Sequence, residues 1–196
     1  MKYDFYTKFR SKGYYYGLIL LLICFALTIL IYKNPEYYSK KEHDYATAHI
    51  ILKWQGRELY LPICDSVSEE LLHKQQKVLK VITFIDGNCG VCLNDLNKWK
   101  PLIEQFRSLA NVSFVFYVNA IDFDGLVKYV SDENPFPIPL INDAENSFFI
   151  KNSLEQDKMF QTFLIDSCNR ILLIGNPIIN EKIFALYKET IQKQKH

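Results

Sequence analysis

Two cysteines separated by two residues, Cys89-Gly90-Val91-Cys92, are the residues of this chain best spaced to do chemistry. A thiol reacts as its thiolate. Two thiols at this spacing can divide the labour, one attacking a disulfide and the other resolving the mixed disulfide that results. The same pair could instead stand as a static disulfide. It could also supply two of the four ligands of a zinc site, but Cys64, Cys168, His43, His49 and His73 are scattered along the chain. No metal or cofactor is therefore expected. Of the five cysteines, Cys24 lies in an apolar run and Cys64, after Pro62, reads as a small buried hydrophobe. Cys168 falls in a hairpin turn, about 20 Å from the far end of its strand at about 3.3 Å per residue.

Reactivity depends on the elements that hold the pair. Val78 to Ile85 is a nearly continuous apolar run, the pattern of a strand buried on both faces, and Asp86-Gly87-Asn88 breaks it. From Cys92 onward, Leu96, Trp99, Ile103 and Phe106 recur at helical spacing, with Pro101 expected to kink the helix. Val112 to Val118 is a second buried strand. The resulting β–α–β unit implies parallel pairing and a right-handed crossover. Cys89 then sits at or just before the first helical turn, where unpaired N–H groups and the helix dipole favour a thiolate. Cys89 is the expected nucleophile and the more buried Cys92 the resolving thiol.

Around this unit, Ala48 to Trp54 and Glu58 to Leu61 flank Gln55-Gly56-Arg57 and read as a β-hairpin. Ser66 to Gln76 is helical or irregular. Asp124 to Val130 and Ser147 to Leu154 read as short helices. Asn134 to Pro139 carries three prolines, which excludes a central strand there, and Leu140-Ile141 suits a brief edge strand. Phe163 to Asp166 and Ile171 to Ile174 form a second hairpin, and Asn180 to Gln192 a closing amphipathic helix.

The β–α–β unit with CGVC at its strand-to-helix junction, followed by a hairpin and a terminal helix, resembles the thioredoxin fold over roughly residues 78–191. The extra helix and strand before the hairpin, with an N-terminal anchor, resemble membrane-tethered extracytoplasmic thiol–disulfide oxidoreductases related to the alkyl hydroperoxide reductase/thiol-specific antioxidant superfamily. That resemblance implies exchange with protein or small-molecule thiols and disulfides through an unidentified redox partner, with Asn88, Gly90, Val91, Phe160 and Gln161 around the cysteines. Phe160 aligns with the position where such proteins carry a cis-proline. Thr83 stands where relatives often have an acidic proton shuttle, and Asn88 replaces an aromatic residue. Asp86-Gly87-Asn88 lacks the Pro and Thr or Ser that a peroxidatic cysteine would want. Gly90-Val91 lacks the histidine of strongly oxidising relatives, which leans the reading toward a reductase.

The anchor is read from residues 14–32, nineteen residues without a charge and with tyrosines at both ends. As a helix they would be about 28 Å long, close to a bilayer core. No small-residue cleavage site follows, so an uncleaved span is expected. Lys2, Lys8, Arg10 and Lys12 precede it and Lys33, Lys40 and Lys41 follow. That bias places residues 1–13 in the cytoplasm, 33–44 as a tether, and a domain of residues 45–196 outside the cytoplasm, which is the periplasm if the cell is Gram-negative. A formal net charge of +1 gives no reason to expect nucleic acid. The overall expectation is an α/β, thioredoxin-like domain with an N-terminal β-hairpin extension and one transmembrane helix. The competing reading is a non-enzymatic, membrane-anchored interaction module whose CxxC is a structural disulfide.

Overall fold

The computed structural model describes residues 4–33, 35–64, 66–74, 79–132 and 135–194. Val78, Asn134 and Gln76, which bounded expected elements, lie outside the described residues. The chain divides into two units, residues 1–50 and 51–196. The first holds helix α1 (Asp4–Lys33) and most of helix α2 (Pro35–Trp54). The described side chains of α1 from Tyr15 to Leu30 are exposed. Among the described residues, no helix is long and apolar enough to cross a membrane.

The second unit is built on one sheet. Strands β1 (Leu79–Asp86), β2 (Val112–Asn119), β3 (Leu140–Asn142), β4 (Thr162–Ile165) and β5 (Ile171–Ile174) lie in the order β3-β2-β1-β4-β5. The two longest strands pair in parallel through helix α4 (Gly90–Leu109), with Val81 opposite Phe114 and Ile85 opposite Val118. This is the crossover that the apolar runs called for. β3 adds in parallel at the edge, while β4 runs antiparallel to β1 and pairs with β5 as a hairpin.

Alternation along the strands produces two buried faces. Val81, Ile85, Phe114, Phe116 and Val118 pack with Leu96, Trp99, Ile103 and Phe106 of α4 and with Tyr187 and Ile191 of helix α7 (Glu181–Lys193). Trp99 meets Phe116 edge-on at 5.3 Å between ring centroids. On the opposite face Phe148, from helix α6 (Ser147–Asn152), stacks on Tyr117 at 4.5 Å and meets Phe163 edge-on. α4 continues across Pro101 as one helix.

One sequence expectation needs correction. The N-terminal β-hairpin is absent: residues 48–54 are the end of α2, and only Glu58 makes a strand-like bridge, to Arg170. Ile50 and Ile51 suggested a strand, but Ala46, Ala48, Leu52 and Lys53 are good helix formers. Trp54 decides the outcome by burying its ring against Phe163, 5.2 Å between centroids, with the Arg57 guanidinium over it. Gly56, at a φ of +77, turns the chain just after the helix. The stretch read as a tether is helical from Pro35 onward. Helices α3 (Ser66–Lys74) and α5 (Phe123–Ser131) lie near their expected positions.

Because Trp54 ties the end of α2 to the sheet, Trp54→Ala should destabilise the folded chain by about 3–5 kcal/mol. Urea unfolding of the full chain, followed by far-ultraviolet circular dichroism, reads this directly. A change within error would mean that the docking of this helix end contributes nothing.

Candidate functional site: a thiol pair at a helix N-terminus

The site begins where β1 stops. Asp86-Gly87-Asn88 turns away from the sheet and is fastened to the end of β2 by backbone and side-chain bonds. Gly87 N–H donates to the Asn119 carbonyl at 2.8 Å. The Asn88 carboxamide accepts from Ile121 N–H at 2.9 Å, and Asn88 N–H donates to Asp86 Oδ1 at 3.0 Å. Gly87 is required by close approach: a Cβ there would come within 2.6 Å of Ala120 Cβ and 2.7 Å of Leu126 Cδ1. Asn88 is thus a clamp between two strand ends.

This clamp places Cys89 as the N-cap of α4, with extended backbone (φ −102, ψ 111), and its carbonyl accepts from Leu93 N–H at 3.1 Å. No side-chain hydrogen bond closes the cap. The Cys89 sulfur instead faces the Cys92 thiol, and then the backbone N–H groups of Cys92 and Val91, which together hold its pKa below the ordinary thiol value. Cys92, one turn in, is governed by burial, which with the hydrogen bond to Cys89 pushes its pKa up to about 12. The two thiols are therefore unequal in the direction that exchange chemistry needs: one ionises early, and the other keeps its proton until a disulfide replaces its neighbour.

One turn beyond Cys92 lies Asp95, buried on the same helix and ion-paired with Lys98 at 2.7 Å and with Lys158 at 2.9 Å. Burial alone would raise the Asp95 pKa, but the two ammonium groups outweigh it and hold the carboxyl below its usual range. Asp95 in turn raises the pKa of Lys158 and keeps it a cation. Lys158 lies in a short 3-10 helix (Lys158–Phe160) before β4, and its charge acts on both cysteines, favouring the Cys92 thiolate. Beside the pair opens a cleft of about 520 Å³, whose lining includes Asp86, Asn88, Cys92, Asn119, Lys158 and Gln161.

Of the residues expected around the cysteines, Asn88 and Gln161 line this cleft, and Gly90 and Val91 open α4 with exposed side positions. Phe160 is buried and absent from the cleft wall. No cis peptide bond occurs among the described residues, so the segment before β4 runs trans. Gln161 holds that segment, its amide donating to the Glu155 and Gln156 carbonyls and its own carbonyl accepting from Phe84 N–H. Thr83 is buried and hydrogen-bonded to Thr162, hydroxyl to hydroxyl, at 2.8 Å. It carries no charge to the thiols. Cys168 is exposed in the β4–β5 turn, beyond the β1 end opposite Cys89. Cys64 lies at the β3 end of the same sheet rim as the pair, its sulfur 3.7 Å from Asp143 Oδ1.

Asp95 and Lys158 escaped sequence reading. Asp95 was within reach of it, since a carboxylate three residues after Cys92 shares its helical face. Lys158 was not, because only the β4 pairing brings residue 158 back to α4.

No family model matches the chain, and no curated protein is significantly similar to it in sequence. Solved structures are similar. Peroxidoxin BcpB from Mycobacterium tuberculosis is 15% identical, with a TM-score of 0.52 over 73% of this chain and 99% of that one. A putative thiol:disulfide interchange protein DsbE from Chlorobium tepidum is 13% identical, with a TM-score of 0.48 over 62% of this chain and 84% of that one. A putative protein disulfide isomerase from Bacteroides thetaiotaomicron is 18% identical, with a TM-score of 0.49 over 63% and 77%. The fold of residues 51–196 is thioredoxin-like, as the peroxidoxin comparison and the sheet order agree.

Two outcomes follow from the charges. Lys158→Met should raise the Cys92 pKa further, so resolution of a mixed disulfide preformed at Cys89 slows at a given pH while Lys158→Arg restores it. A pH–rate profile that does not move would contradict the role given to Lys158. Asp95→Asn should destabilise the protein by about 1–2 kcal/mol at pH 7, a buried carboxylate with partly exposed partners. Since the folded pKa of Asp95 is depressed, its contribution is complete above the unfolded value of about 3.9 and is lost as pH falls through the folded value. The gap between wild type and variant in urea midpoints should therefore close on acidification.

Proposed function

We propose that the chain is a membrane-tethered thiol–disulfide oxidoreductase that works through the CGVC motif, leaning toward reduction of its substrates. The observation that carries the reading is the inequality of the two thiols at the head of α4, one with its pKa lowered and the other with its pKa raised to about 12. In the reducing direction the Cys89 thiolate attacks a substrate disulfide, forming a Cys89–substrate bond and releasing one substrate thiolate. Cys92 loses its proton to water and attacks the Cys89 sulfur. A Cys89–Cys92 disulfide forms and the second substrate thiol leaves, so the substrate gains two electrons and the pair loses two. Asn88 holds Cys89 at the helix start, and Lys158 lowers the cost of ionising Cys92 in the second step.

The tether is supported by the uncharged run from 14 to 32, which lies inside α1, and by the Lys and Arg residues that precede it. On this reading residues 1–13 are cytoplasmic and the thiol domain lies outside, where its partners would be thiols and disulfides of proteins or small molecules. A non-permeant maleimide applied to intact cells producing the full chain should label the reduced domain. Protection of the domain until the cells are lysed would reverse the topology.

The chemistry is tested with the full chain. Wild type should reduce insulin disulfides with dithiothreitol as electron source, Cys89→Ser should lose all activity, and Cys92→Ala should accumulate a mixed disulfide at Cys89. If wild type reduces nothing and Cys92→Ala traps nothing, the CxxC is a structural element of an interaction module.

A further inference from the structure

The cleft beside the thiol pair, at about 520 Å³, is the size of a small-molecule site. Its lining holds one side chain of each charge. Asp86 and Lys158 both lie close enough to act electrostatically on Cys92, with opposite sign. Lys158 is not neutralised by its ion pair, because Asp95 is shared with Lys98 and the three groups together carry one positive charge. Asp86 is exposed, with Oδ1 engaged by Asn88. Asn146, held at a φ of 55, lines the same cleft. Phe84 and Phe149, 5.2 Å apart between ring centroids, add an apolar surface.

We infer that this cleft binds a zwitterionic low-molecular-weight disulfide, of which cystine is the simplest, with its carboxylate on Lys158 and its ammonium toward Asp86. This rests on the thiol-exchange reading above and specifies its substrate. A half-cystine inside a protein chain has neither free charge beside its sulfur, so the cleft distinguishes small disulfides from protein ones. Cysteine would leave in two steps, one thiolate when Cys89 attacks and one when Cys92 displaces it. Each thiolate takes a proton from water, and cystine gains the two electrons that the cysteine pair loses.

The experiment mixes the reduced full chain with four disulfides and follows Cys89–Cys92 oxidation in a single turnover. They are cystine, cystamine (ammonium only), dithiodiglycolate (carboxylate only) and hydroxyethyl disulfide (neutral). Each rate is divided by the rate of the same disulfide with free dithiothreitol. Cystine should exceed each of the others by about tenfold or more, the worth of one charge-assisted hydrogen bond. Lys158→Met should bring the cystine-to-cystamine ratio toward one, and Asp86→Asn the cystine-to-dithiodiglycolate ratio. Equal normalised rates in wild type, or variants that slow all four disulfides alike, would overturn the zwitterion site while leaving thiol exchange standing. Failure of all four to oxidise the pair would remove the exchange reading itself.

Discussion

The constraint on which the rest depends is that the first N–H groups of a helix have no carbonyl within that helix to bond. At the head of α4 those groups face a sulfur. Everything near the site holds that sulfur there: Gly87 lets the turn press against Ala120 and Leu126, Asn88 ties it to the end of β2, and the buried face from Leu96 to Phe106 fixes the helix behind it. Helix packing and thiol ionisation are thus one problem. A shift of α4 along its own axis would cost apolar burial and, by the same movement, the donors that favour the Cys89 thiolate.

Charge near the pair is arranged from the side. On β1, Thr83 is buried and satisfied by Thr162, and the ionisable group that this strand brings to the site is Asp86 at its end. The other ionic groups come from α4 itself and from the segment before β4, as the Asp95–Lys158 pair. A cation held by a buried carboxylate remains charged as the pH rises, which suits a group that must favour a thiolate rather than accept its proton. Its cost is small because Lys158 keeps part of its side chain in water.

Much of this was legible before any coordinates. Strands β1 and β2 read clearly because burial on both faces leaves an uninterrupted apolar run, and α4 because its apolar residues recur at helical spacing. The strand-to-helix junction at Cys89 followed from those two. The segment from Ala48 to Leu61 did not, since β-branched Ile50 and Ile51 next to a Gly mimic a hairpin, and only the burial of Trp54 against Phe163 selects the helix. Phe160 read as a site residue by its place in the chain, but its ring is buried and the cleft is lined by its neighbours Lys158 and Gln161. Such side-chain choices are set by tertiary contacts between segments far apart in sequence, which local pattern does not encode.

The central claim is that the two cysteines differ in acidity. Titrating the ultraviolet thiolate absorbance of the reduced full chain, and subtracting the same titration of the Cys89→Ser, Cys92→Ser double variant, isolates this pair from the other cysteines. The account predicts that one thiolate appears below the free thiol value of about 8.5, with the second delayed to strongly alkaline pH. Two thiolates appearing together at the free value would contradict it.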